Sequence, residues 1–130
     1  MTEDILDYWT RLIKTIFPEN AWITSRFFKN DCLIDIDWKL EGDPENPNKR
    51  SKKIEIIIKA TTLENYLDKN KKERELSDLM LKEFICKQYK SFSSDYEINT
   101  SQYIPKEKWL ITCDVLNCKP SVDTHHQQLI

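Results

Sequence analysis

Between Ile5 and Phe17 apolar side chains recur every three or four residues, at Ile5, Trp9, Leu12, Ile13 and Ile16, with Leu6, Tyr8 and Phe17 widening the stripe. This is the period of an α-helix that buries one broad face. Thr2 suits an N-cap, Glu3 and Asp4 suit the positive end of the helix dipole, and Pro18 ends the segment. From Ala21 the period falls to two. Ala21 to Phe28 is rich in aromatic and β-branched residues and stops at the polar turn Lys29-Asn30-Asp31, which predicts a first strand. Cys32, Ile34, Ile36, Trp38 and Leu40 then alternate with Leu33, Asp35, Asp37 and Lys39, the pattern of a half-buried second strand.

Residues 41–51 lose all periodicity and hold Gly42, Pro44 and Pro47, so they predict a long hairpin loop. Ile54, Ile56, Ile58 and Ala60 alternate with Glu55, Ile57 and Lys59 in a third strand, antiparallel to the second. Its register is predicted from charge. Setting Asp37 opposite Glu55 opposes like charges, whereas a shift by one side-chain repeat pairs Lys39 with Glu55 and Asp35 with Lys59.

Thr61-Thr62-Leu63-Glu64 matches a capping box, in which Thr61 and Glu64 satisfy free backbone donors at a helix start. Leu63, Tyr66 and Leu67 give that helix an apolar edge, and Leu76, Leu79, Met80 and Phe84 resume the stripe beyond the charged stretch 69–75. The pattern favours a short helix and then a long one, joined near Asn70. Residues 91–108 are polar and read as a crossing loop. Trp109, Ile111, Cys113 and Val115 alternate with Leu110, Thr112 and Asp114 in a fourth strand. The expected fold is therefore α+β in the order αβββαβ: an N-terminal helix, a three-stranded antiparallel meander, one or two central helices and a fourth strand. Residues 1–116 are expected to form a single domain and 117–130 a flexible tail.

The composition is consistent with such a domain. In 130 residues, 39% are apolar and 32% charged, enough for one core and a solvated surface. The net charge of −2 gives no global field to gather nucleic acid or an anionic membrane. An acidic N-terminus and the lack of a long apolar run predict a cytoplasmic protein with no membrane span, and Cys32, Cys86, Cys113 and Cys118 then read as reduced thiols.

Few residues point to chemistry. A single glycine excludes phosphate-cradling Gly-rich loops and with them the common nucleotide-binding enzymes. Cys113, Cys118, His125 and His126 have ligand types that suit zinc, but their gaps do not match the short knuckle spacings of structural sites. The two histidines stand side by side near the end of the chain, a poor basis for Ser-His-Asp or Cys-His catalysis. The order helix, three strands, helix, strand resembles the core of the PD-(D/E)XK nucleases. There an acid on the second strand and an acid-x-lysine on the third bind a divalent metal and activate water. The resemblance implies Asp35 or Asp37 as the first acid and Lys59 as the lysine, with Ile57 standing where the second acid belongs.

The densest group of donors is the second half of the hairpin loop, Asn48, Lys49, Arg50, Ser51, Lys52 and Lys53, which suits phosphate or carboxylate. With no catalytic set intact and no cofactor or metal implied, the expected function is non-catalytic binding of another protein. A nucleic-acid-binding or nuclease-like relative is the alternative.

Overall fold

In the computed structural model, which describes residues 2–40, 44–45, 49–93 and 106–117, Thr2–Lys14 forms helix α1 and Trp22–Phe28, Asp31–Asp37 and Lys53–Ile58 form strands β1, β2 and β3. Ala60–Leu67 (α2) and Lys71–Lys90 (α3) follow, then strand β4 (Lys106–Ile111) and the single turn α4 (Cys113–Leu116). This is the expected α+β order. The strands make one sheet, β1-β2-β3-β4, in which the first three are antiparallel and β4 runs parallel to β3. The sheet is thus mixed rather than antiparallel throughout. The helical connection carries the chain back along the sheet, and a strand entered after such a return points the same way as the strand left behind.

Lys29 and Asn30 join β1 to β2 with φ of 51° and 70°. Two successive left-handed residues form the primed turn whose twist matches a hairpin, and this sets Phe28 opposite Asp31. The β2–β3 register departs from the charge-based expectation. Asp35 lies opposite Glu55, and Lys39 bridges to Arg50 instead of Glu55. The expected pairing needed β3 to run through Ala60, but Ala60 already belongs to α2. Beyond Asp37 the pairing slips by one residue: Trp38 N–H donates to Ser51 Oγ at 3.1 Å, and Ser51 N–H donates to the Trp38 carbonyl at 2.7 Å. The opposed carboxylates are tolerated because their cations arrive from the outer strands. Arg26 on β1 lies 3.5 Å from both Asp35 and Glu55, and Lys106 on β4 lies 3.5 Å from Glu55.

Helix starts also differ in detail. α2 is not opened by a Thr61–Glu64 box; its N-cap is Lys59, which makes no side-chain cap. Asp31, at the start of β2, supplies the acceptor instead, with Oδ1 taking the Ala60 N–H at 2.9 Å and Oδ2 3.3 Å from Lys59 Nζ. That backbone bond holds the Asp31 carboxyl below the usual carboxylate range, with Lys59 adding to the effect. A capping box does occur at Asn70 and Glu73, where it opens α3 and divides the region into the expected short and long helices. β4 begins earlier than expected, within the supposed crossing loop, and ends at Ile111. Thr112 then accepts the Val115 N–H and Asn117 turns left-handed at φ 52°, so Cys113 and Val115 lie in a helical turn rather than a strand.

One core joins the elements. Cys32, Ile34, Ile36, Ile54, Ile56, Ile58 and Ile111 from one face of the sheet meet Trp9 and Ile13 of α1, Leu63 and Tyr66 of α2, Leu81 and Ile85 of α3 and Leu116 of α4. Each helix contributes apolar residues to this side, although Leu76 and Leu79 of α3, expected in its apolar stripe, are exposed while Leu81 and Ile85 are buried. Asp78 of α3 is buried within it and accepts hydrogen bonds from Trp9 Nε1 at 3.0 Å and the Tyr66 hydroxyl at 2.7 Å, tying three helices together. At one end Phe17, Trp38, Tyr89, Phe92 and Trp109 pack ring against ring, with centroids 5.0 to 6.3 Å apart. Among the described residues no helix is long and apolar enough to cross a membrane. Residues 118–130 of the expected tail, with Cys118, His125 and His126, lie outside the described residues.

Candidate functional site

Alternation along the strands decides what the other face of the sheet displays. The pairing puts Trp22, Thr24, Arg26 and Phe28 of β1 on the same side as Asp35 and Asp37 of β2, Lys53 and Glu55 of β3, and Lys106 and Lys108 of β4. No described helix covers this face. It contains a cavity of about 560 Å³ whose charged lining is Arg26, Arg50, Lys53, Lys106, Asp35 and Asp37, with Trp22 at its rim.

Most of these charges are held in place. Arg50 grips Asp37 with two bonds, Nε to Oδ2 at 2.9 Å and Nη2 to Oδ1 at 3.1 Å, and this contact raises the Arg50 pKa beyond its already high value. Arg26 spans Asp35 and Glu55, and Lys106 reaches Glu55, which is buried beneath them. Lys53 is exposed and forms no ion pair with a described residue. Trp22 is 67% exposed, an unusual state for a large indole and one that marks contact surfaces. The lining thus carries four cations against two carboxylates, on a rigid sheet, beside an exposed aromatic ring.

The donor-rich loop residues expected to form a site are divided by the fold. Asn48 lies outside the described residues. The Lys49 carbonyl accepts the Leu40 N–H at 2.9 Å, and Ser51 is wholly buried. Lys52 sits 4.0 Å from Glu107 and over the Phe92 ring. Of the described loop residues, only Arg50 and Lys53 line the cavity. Arg26 and Lys106 escaped the sequence reading. Arg26 shares its strand face with Trp22 and Thr24, a signal available from alternation, whereas Lys106 was hidden by the placement of β4.

Among the described residues no group of three His, Cys, Asp or Glu side chains is placed to hold a metal ion. Lys59 engages Asp31 at the far end of β2 from Asp37, so the lysine and acids implied by the nuclease resemblance do not converge. Cys113 is half-buried at the start of α4, where its Sγ accepts from Asn65 Nδ2 at 3.4 Å. Comparison with protein-family models, curated proteins and solved structures found no match to this chain.

Proposed function

We propose that the chain is a small cytoplasmic, non-catalytic binding domain that holds another protein on the helix-free face of its sheet. The observation that carries this reading is the cavity beside Trp22, where fixed cations and carboxylates alternate next to an exposed aromatic ring. A mixed-sign lining with an aromatic anchor complements a polypeptide surface better than a phosphate backbone, which favours unbroken positive charge. The ion pairs of Asp35, Asp37 and Glu55 weigh against catalysis, because each carboxylate already serves a neighbouring cation. Free thiols at Cys32, Cys86 and Cys113 suit a reducing compartment.

The test is capture of partners from native lysate by the immobilised protein and by Lys53→Glu and Trp22→Ala, both at exposed positions. A partner retained by the wild type and lost by each folded variant is the expected result. Equal retention by all three overturns the assignment to this face.

A nucleic-acid-binding relative of the PD-(D/E)XK nucleases is the second reading, favoured by the αβββαβ order and by Asp35 and Asp37 on the second strand. It requires oligonucleotide affinity that falls steeply with salt, with a slope reduced by Lys49→Ala and Arg50→Ala together. It also requires a Mg²⁺-dependent rise in melting temperature that Asp37→Ala removes. If none of these responses is seen, the protein-binding reading stands.

A further inference from the structure

The two edges of the sheet are built differently. β4 presents Lys106 and Lys108 in alternation along its length, a feature that discourages further strand pairing. β1 has neither proline, glycine nor lysine in its seven residues, Trp-Ile-Thr-Ser-Arg-Phe-Phe, and among the described residues it pairs only with β2. Among the described residues it is a long open edge with exposed aromatics at both ends, since Trp22 is 67% and Phe28 54% exposed.

The hydrogen bonding of that edge follows from the turn. Phe28 and Asp31 close a two-residue primed hairpin, so they form a hydrogen-bonded pair, and every second residue back along β1 does the same. Trp22, Thr24, Arg26 and Phe28 therefore point their backbone groups at β2. Ile23, Ser25 and Phe27 point theirs away from the sheet.

The apolar pattern of β1 is symmetric about Ser25, with two apolar residues, three polar residues and two apolar residues. An antiparallel second copy related by a two-fold axis at Ser25 brings together the outward-pointing groups, Ile23 with Phe27, Ser25 with Ser25 and Phe27 with Ile23. On the helix-free face it sets Trp22 against Phe28 of the second copy, twice, at the closer spacing of non-hydrogen-bonded pairs. Other two-fold centres leave one aromatic unmatched.

We propose that β1 is a homodimerisation edge, joining two copies of this chain through antiparallel β1–β1 pairing centred on Ser25 into one continuous eight-stranded sheet. The pairing uses all three outward residues of each strand and covers the four exposed aromatic side chains contributed by the two Trp22 and Phe28 pairs. Thr24 and Arg26, opposed across the junction, introduce no like charges.

The experiment is sedimentation of the full chain from micromolar to submillimolar concentration, with hydrogen exchange read at single amides. A dimer is expected, in which the Ile23, Ser25 and Phe27 amides are protected. Phe28→Lys and Trp22→Lys, each at an exposed position, should weaken the dimer by about tenfold or more without shifting the monomer's melting temperature. Phe28 lies outside the cavity lining, so Phe28→Lys tests the edge separately from the ligand-binding reading. Trp22→Glu combined with Phe28→Lys places opposite charges across the junction and should recover association. A monomer at every concentration overturns the proposal and leaves the edge to a strand from a different protein. A dimer whose Ile23, Ser25 and Phe27 amides exchange freely, or that both single substitutions leave intact, overturns it equally.

Discussion

Asp78 shows what one buried side chain can decide. It sits inside the helical layer and satisfies both Trp9 Nε1–H and the Tyr66 hydroxyl, so removing it orphans two buried donors. Asp78→Ala is expected to cost about 2–4 kcal/mol in urea denaturation, more than the lost side-chain volume explains. Trp9→Phe in the same background should recover part of that loss; additive losses instead would refute the coupling. Glu55 poses the opposite problem, a buried carboxylate facing Asp35. Arg26→Met removes the cation shared by both, and a loss of about 1–2 kcal/mol is expected after allowing for the exposure of Arg26. Adding Glu55→Gln to Arg26→Met should restore much of it. If Arg26→Met alone is neutral, the bridging role assigned to Arg26 fails. The carboxylates were visible as alternate strand residues, but their neutralising partners belong to strands distant in sequence.

At the scale of elements, helix starts are governed by whichever acceptor reaches the free N–H groups, near or far in sequence. Asn70 and Glu73 are local and form the box that opens α3. Asp31 is 29 residues from Ala60, and it caps α2 only because the β2–β3 pairing brings the two together. Asp31→Ala should therefore lower the melting temperature, while Thr61→Ala, at the position where the sequence placed a cap, should leave it nearly unchanged. A larger effect at Thr61 would contradict the observed capping. The strands themselves were legible from alternation, as was the division into a short and a long helix. The β2–β3 register was not, because charge pairing between two strands neglects the cations that flanking strands contribute. β4 was placed too late because Trp109, Ile111, Cys113 and Val115 alternate as a strand does, although Thr112 and Asn117 bracket a helical turn.

For the whole molecule, the buried thiol and phenol predict how stability responds to alkali. Burial pushes the Cys32 thiol from its ordinary 9.0 up to about 11, and burial together with the Asp78 hydrogen bond raises Tyr66 as well. In the unfolded chain these groups ionise first, so the unfolded state binds fewer protons and stability falls as pH climbs from about 9 through about 11. Cys32→Ala, whatever its constant cavity cost, should flatten that decline when urea midpoints are compared across the alkaline range; parallel declines would refute the assignment. By itself the sequence determined the α+β class, the order of helices and strands and the apolar faces of α1, β2 and β3, because periodicity is a local property that burial must respect; on α3 the expected stripe of Leu76, Leu79, Met80 and Phe84 was misplaced, since Leu76 and Leu79 are exposed and Leu81 and Ile85 enter the core. Only the tertiary structure decided the parallel placement of β4, the β2–β3 register, the cap on α2 and the gathering of Arg26, Arg50, Lys53 and Lys106 around Asp35 and Asp37. Each depends on contacts between residues far apart in the chain, where geometry sets the neighbours and local pattern carries no record of them.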